Sequence, residues 1–170
     1  MKKVLLLTAL VVLLGSASAF AASTQAVSMS ITIPQVFELA WSTTTGQNGA
    51  TIATATVATE WMAGTKTGIP GGTLKATANA AYDLTVKSAA ASFTCTGLGC
   101  RTTKPTTDIQ IAVNGTTYQT TTGITEKKII VNQAAEVAAS KVLLYKIIFT
   151  GVDTPGVYST TLTYTIKAKT

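Results

Sequence analysis

The sequence has no histidine and few charged or aromatic residues. Of its 170 residues, 12% are charged and 6% are aromatic. Without histidine, Ser-His-Asp and Cys-His catalytic arrangements are excluded, and the commonest general base is missing. The 7 acidic residues stand singly in the sequence, with no Asp-x-Asp run of the kind that collects calcium. We therefore expect neither catalysis nor a metal or other cofactor.

Positive charge exceeds negative charge, but it is spread thinly. The formal net charge is +6, and it falls to +4 (6 minus 2) without Lys2 and Lys3. Beyond these two residues the only adjacent basic pair is Lys127 and Lys128. A nucleic-acid partner would require clustered lysine and arginine on one face, so none is expected.

The first 21 residues have the pattern of a secretory signal peptide. Lys2 and Lys3 precede an apolar run over 4–14, and Ala19 and Ala21 provide the small residues that a signal peptidase reads. The alternative is a membrane anchor, but the run is shorter than the roughly 20 residues that a spanning helix needs. The sequence therefore predicts an exported chain that is cut after Ala21.

Export to an oxidising compartment bears on the two cysteines. Cys95 and Cys100 flank a short segment that contains Gly97 and Gly99, and these glycines permit a tight path. A disulfide between the two is the preferred interpretation. The alternative, a pair of metal-binding thiols, lacks the further cysteine or histidine ligands that a zinc site requires.

The chain after residue 21 is of ordinary single-domain size and is rich in threonine, valine and isoleucine, which favour strands. Turn residues recur at intervals of about 10 residues, which is typical of an all-β sandwich. We expect Asn114-Gly115 to form a hairpin turn, 64–72 a glycine-rich loop, and 133–140 a helical turn or loop. Strands are predicted at Val36–Trp41, Ile52–Thr59, Thr73–Ala78, Tyr82–Lys87, Asp108–Val113, Thr116–Thr120, Lys128–Val131, Val142–Phe149 and Val157–Lys169.

Two alternating segments stand at the ends of this chain. In the first, apolar side chains occupy every second position before Pro34, which removes a backbone donor; they are Val27, Met29, Ile31 and Ile33. The second is predicted as one strand over 157–169 whose inward face carries Tyr158, Leu162, Tyr164 and Ile166. A strict period of two predicts a buried face, but it does not say whether the first segment enters its own core or that of a neighbouring molecule.

These two ends resemble a family. The terminal Gly-Val-Tyr-Ser at 156–159, followed by an alternating strand, is similar to the last strand of chaperone-usher pilin subunits. The start, 27–39, with its alternating segment, proline and Val-Phe-Glu-Leu, is similar to the mature N-terminus of the major subunits of colonization-factor fimbriae, the alternate (class 5) branch. The resemblance covers about 20 residues at the start and about 15 at the end of the mature chain.

The resemblance implies an immunoglobulin-like sandwich that lacks one strand, over 35–170, preceded by an N-terminal extension over 22–34. Its implied function is that of a structural subunit of a surface fimbria, which serves adhesion or biofilm formation. A periplasmic chaperone lends the missing strand, an outer-membrane usher assembles the fibre, and the extension of the next copy then replaces the chaperone. The donated side chains would be Val27, Met29, Ile31 and Ile33, and the strand bordering the acceptor groove would carry Tyr158, Leu162, Tyr164 and Ile166.

Three other interpretations remain open at this point. The first strand could pair within its own domain, as in a complete exported sandwich. A glycan-binding module is a second alternative, for which Trp41, Trp61, Tyr118 and Tyr145 are the available aromatic residues. An outer-membrane barrel is the third, although its aromatic girdles are poorly supported by the low aromatic content.

Overall fold

The protein is an all-β sandwich built from antiparallel strands. The structure, a computed structural model, describes residues 28, 30–42, 58–120 and 123–170. The predicted signal peptide therefore lies outside the described residues. Within the described ranges, no helix is both long enough and apolar enough to cross a bilayer.

Five strands form the larger sheet, in the order β1-β2-β8-β5-β6. Long β2 and β8 lie at its centre, and the apolar residues on their inner faces build the core. A short helix α1 (Ala58–Met62) precedes β2. The strands are β1 (Phe37–Trp41), β2 (Thr65–Ala78), β5 (Ile109–Val113), β6 (Gln119–Thr120) and β8 (Glu136–Ile148).

The opposing sheet has three strands in the order β10-β3-β7, and a separate two-stranded ribbon pairs β4 with β9. The central strand β3 is almost wholly buried. The bounds are β3 (Tyr82–Ser88), β4 (Thr94–Thr96), β7 (Lys127–Gln133), β9 (Val157–Ser159) and β10 (Leu162–Ala168). The core between the two sheets includes Leu74, Tyr82, Leu84, Ile111 and Leu143.

Two predictions of non-strand structure were wrong. The expected glycine-rich loop over 64–72 is the first half of β2, and the pairing of β2 with β8 shifts register around Gly68 and Gly71. The glycines thus mark bulges instead of ending the strand. The segment 133–140, expected as a helical turn or loop, contributes the start of β8, because long-range pairing with β2 overrides the helical propensity of its alanines.

The last predicted strand is divided in two. Residues 157–159 form β9 and pair with β4, whereas 162–168 form β10 and pair with β3. The predicted hairpin is present, since β5 and β6 pair antiparallel, but its loop covers 114–118 and the strand predicted at Thr116–Thr120 is reduced to Gln119–Thr120. Asn114 adopts a positive φ of 53°, and its side-chain oxygen accepts a hydrogen bond from the Val142 N–H. Most of the strand predicted at 52–59 lies outside the described residues, and Ala58 and Thr59 belong to α1.

The two lateral sides of the sandwich differ. On one side, β6 of the larger sheet and β7 of the smaller sheet are joined by a 3.3 Å hydrogen bond from Gln119 Nε2 to the Ile129 carbonyl. On the other side, β1 and β10 are the outer strands of their sheets among the described residues. We call this second side the β1–β10 side.

Candidate functional site: the β1–β10 side

The first wall of the β1–β10 side is β1. Its burial alternates, so that Phe37, Leu39 and Trp41 face the core while Glu38 and Ala40 face solvent. The three inward side chains are only half-buried, although they pack against the core. Such partial burial on an inward face means that apolar surface on this side remains uncovered.

The second wall is β10, which pairs with β3 from Leu162↔Ser88 to Ala168↔Tyr82. Leu162, Tyr164 and Ile166 pack against the core from this strand and are likewise half-buried. Three of the four residues predicted to border an acceptor groove therefore share one strand. The fourth, Tyr158, lies on β9, where its hydroxyl donates to the Thr154 carbonyl at 2.7 Å, so the single strand predicted for all four was wrong.

The two walls meet through aromatic side chains. The rings of Trp41 and Tyr164 pack edge to face, with centroids 5.9 Å apart. The hydroxyl of Tyr164 also lies 2.7 Å from that of Tyr145 on β8, which links the two sheets. Burial raises the pKa of both Tyr164 and Tyr145, so each hydroxyl keeps its proton at neutral pH.

One end of the sandwich holds the start of β1 and the end of the chain. Asn79 clamps the approach to β1, because its Nδ2 donates to the Pro34 carbonyl at 2.7 Å and its Oδ1 accepts from the Val36 N–H at 2.8 Å. The Lys169 N–H donates to the Ala81 carbonyl at 3.1 Å. The start of β1 and the end of β10 therefore lie at the same end, beside the β2–β3 connection.

The predicted donor segment lies only partly within the described residues. Val27 and Met29 fall outside them. Ile31 and Ile33 are 74% and 77% exposed, and residues 30–33 adopt no strand conformation. Two large apolar side chains of the leading segment are thus open to solvent, which is the condition that a donor segment must meet before it is buried.

Cys95 and Cys100 lie at disulfide-bonding distance, with Cα atoms 6.1 Å apart. This cysteine pair closes a loop over 95–100 that begins in β4, and β4 is paired with β9. At Gly156 an added Cβ would lie 2.7 Å from the Cys100 Cβ and 3.3 Å from the Cys95 Sγ. A residue with a side chain at position 156 would therefore collide with the cysteine pair.

The aromatic residues considered for glycan binding do not share one exposed face. Trp41 and Tyr145 both adjoin Tyr164 at the core. Trp61 packs on Phe149, with ring centroids 5.6 Å apart. Tyr118 lies elsewhere, and its hydroxyl accepts a hydrogen bond from the Gly68 N–H at 2.9 Å. Three of the four therefore contact another aromatic side chain, and Tyr145 is also buried.

A buried charge cluster, which the sequence did not signal, lies at the opposite end from Asn79. Lys104 and Asp153 have side chains only 3% and 2% exposed, and Lys104 Nζ is 2.5 Å from Asp153 Oδ2. Burial alone would raise the pKa of Asp153, but hydrogen bonds from Lys104, the Thr150 N–H and Arg101 hold it below its usual range. Lys104 and Asp153 are 49 positions apart in the sequence, so spacing in the sequence could not reveal their contact.

Among the described residues, no group of three or more histidine, cysteine, aspartate or glutamate residues could hold a metal ion. At the β1–β10 side, the outer strands β1 and β10 offer backbone pairing, and their half-buried side chains offer apolar surface for burial. No protein-family model matches the chain. No curated protein matches it in sequence either.

Proposed function

We propose that the protein is a structural subunit of an extracellular fimbria that polymerises by strand exchange at the β1–β10 side. The observations that carry the proposal are the half-buried apolar side chains on the outer strands β1 and β10 and the exposure of Ile31 and Ile33 in the leading segment. An added strand beside β10 would pair with its open backbone edge and place apolar side chains over both rows.

Strand direction favours donation from a second copy. The leading segment of a chain ends at Pro34, at the same end of the sandwich as the end of β10. If it paired with β10 of its own chain, it would therefore run parallel to β10. A segment from another copy is free to pair antiparallel, which is the slightly more stable arrangement.

Burial of the alternating side chains supplies the energy for this exchange. Four donated residues, Val27, Met29, Ile31 and Ile33, at roughly 1.5 to 3 kcal/mol each would contribute on the order of 6 to 12 kcal/mol before ordering costs. That magnitude suits a long-lived contact between copies. The four side chains would contribute none of this free energy if the segment remained in water.

The proposal implies partners and a route. The chain would be exported by its signal peptide, held in the periplasm by a chaperone that covers the β1–β10 side, and passed through an outer-membrane usher to the cell surface. Its principal partner there would be other copies of itself. A surface receptor would be contacted by the assembled fibre.

The test is electrophoresis of material sheared from the cell surface, run in detergent without boiling. The wild-type chain should give a ladder of multimers, and Ile31→Asp should abolish the ladder, because a carboxylate would have to enter an apolar groove. Val137→Asp is the matched control, since Val137 is 84% exposed on β8 and should leave the ladder intact. A wild-type chain that runs only as a monomer would overturn the proposal.

A further inference from the structure

The buried cluster at the end of the sandwich opposite Asn79 takes no part in the proposed strand exchange. Lys104 Nζ lies 2.5 Å from Asp153 Oδ2, 2.9 Å from Asp108 Oδ2 and 2.8 Å from the Ile148 carbonyl. The three donors of the ammonium group are therefore all used. The Phe149 ring covers it, with its centroid 5.8 Å from Nζ.

Two carboxylates flank one lysine here, and their surroundings differ. Asp153 is the more buried, with its side chain 2% exposed against 14% for Asp108. Asp153 also accepts from Arg101 at 2.7 Å and from the Thr150 N–H at 2.9 Å. Arg101 donates to Oδ1 and is placed to stabilise an oxyanion on that atom, whereas the Thr150 N–H donates to Oδ2, the same oxygen that Lys104 contacts.

We propose that Lys104 and Asp153 condense to an isopeptide bond, with Asp108 as the proton carrier. Asp108 takes one proton from the Lys104 ammonium group and passes it to Asp153 Oδ2, so that a neutral amine faces a neutral carboxyl group. The amine nitrogen then attacks the Asp153 carboxyl carbon and forms the new C–N bond. Asp108 carries a second proton from this nitrogen to Oδ2, the C–O bond to Oδ2 breaks, and the oxygen leaves as water. One amide and one water result, and Asp108 ends as the carboxylate it was at the start.

Two physical terms favour the reaction in this site. Groups held in contact and in the correct orientation can reach effective molarities of about 10⁵ to 10⁸ M. The condensation also removes one buried positive and one buried negative charge, both of which are costly to keep away from water. No oxidant, reductant or metal is needed. The bond would join two loops whose attachment points are 49 positions apart in the chain.

The test is the intact mass of the folded mature chain after denaturation and reduction of the disulfide. We expect a mass lower than that of the sequence by one water molecule. After tryptic digestion, the peptides 102–127 and 147–167 should remain joined under reducing conditions, because they carry Lys104 and Asp153. The full sequence mass, or a loss of water without this joined pair, would overturn the proposal.

Variants then test the proton carrier. Asp108→Asn keeps the shape of the side chain and should slow the appearance of the joined peptides by at least tenfold. Lys66→Gln, at a partly buried ion pair with Glu60 that does not contact the cluster, should leave both the mass loss and its rate unchanged. If Asp108→Asn forms the bond as fast as the wild type, the role of Asp108 is wrong. The wild-type mass decides the bond itself, so the conclusion does not depend on a variant that fails to fold.

Discussion

The hydroxyl groups of Tyr145 and Tyr164 lie 2.7 Å apart and join the two sheets of the sandwich. Tyr145 belongs to the centre of the larger sheet, and Tyr164 belongs to β10, the outer strand that we propose receives a donated strand. This hydrogen bond links β10 to the core beside the contact between the Tyr164 and Trp41 rings.

The effects of replacing Tyr145 and Tyr164 on the free energy of unfolding should not be additive. Tyr164→Phe retains the ring on Trp41 but leaves the Tyr145 hydroxyl unpaired in the core, which should lower the free energy of unfolding by about 1 to 3 kcal/mol. The double variant with Tyr145→Phe leaves no unpaired hydroxyl and should cost less than the sum of the single changes. Urea unfolding of the four proteins measures this difference, and strict additivity would contradict it.

Gly71 should not tolerate a side chain. A Cβ at this position would lie 2.5 Å from the Tyr145 ring and 2.9 Å from the Leu143 Cβ. We expect Gly71→Ala to lower the free energy of unfolding by about 1 to 3 kcal/mol through overpacking. Gly151→Ala is the control, because no atom lies within 4 Å of its added Cβ. Equal urea midpoints for the two variants would contradict this prediction, because they would show that the core around Gly71 accommodates a methyl group.

Asp83 should make stability depend on pH in the acid range. Hydrogen bonds from the Asn132 N–H and from Lys128 lower the pKa of its carboxyl group. Since the folded pKa is depressed, the stabilisation is present above the unfolded pKa of about 3.9 and is lost as pH falls through the folded pKa. Wild-type stability should therefore decline below about pH 5, and Asp83→Asn should decline less steeply.

Urea unfolding at a series of pH values checks this expectation. Glu38→Gln removes an exposed carboxylate from β1 and serves as the control for the loss of one acidic group. If the stability of Asp83→Asn declines as steeply with falling pH as that of the wild type, the contacts with Asn132 and Lys128 do not lower the pKa of Asp83 in the folded state.

A donor strand supplied within the same chain should stabilise a monomer. We expect a chain that begins at residue 34, and carries a copy of 22–33 after Thr170 and a short flexible turn, to unfold at a higher temperature than the same chain without the copy. The turn lets the copy run antiparallel to β10 at high effective concentration. Thermal unfolding and size-exclusion chromatography measure the gain, and an Ile31→Asp change within the appended copy should remove it.

Much of the sandwich could be predicted from alternation, because Phe37–Trp41, Tyr82–Lys87 and Ile109–Val113 each bury one face or both. Two features could not. The start of β8 has alanines that favour helix, and only its pairing with β2 makes it a strand. The glycines and Pro70 in β2 read locally as a loop, but the register shifts that they allow are decided by β8.

The candidate site, too, could be predicted only in part from the sequence. Leu162, Tyr164 and Ile166 could be assigned to one inward face from their spacing alone, and the structure places all three on β10. Tyr158 has the same spacing but lies on β9, because Thr160 and Thr161 interrupt the strand. Trp41 could be placed on a strand, yet its contact with Tyr164 depends on which edges of the two sheets meet.

The loop closed by Cys95 and Cys100 has a practical consequence. Leu98 at its tip is 102% exposed, and the two cysteines hold both ends of the loop against the ribbon of β4 and β9. A foreign peptide placed between Gly97 and Gly99 would therefore start and finish at anchored points, and the core of the sandwich would not need to rearrange. The tip is a natural position at which to display an epitope.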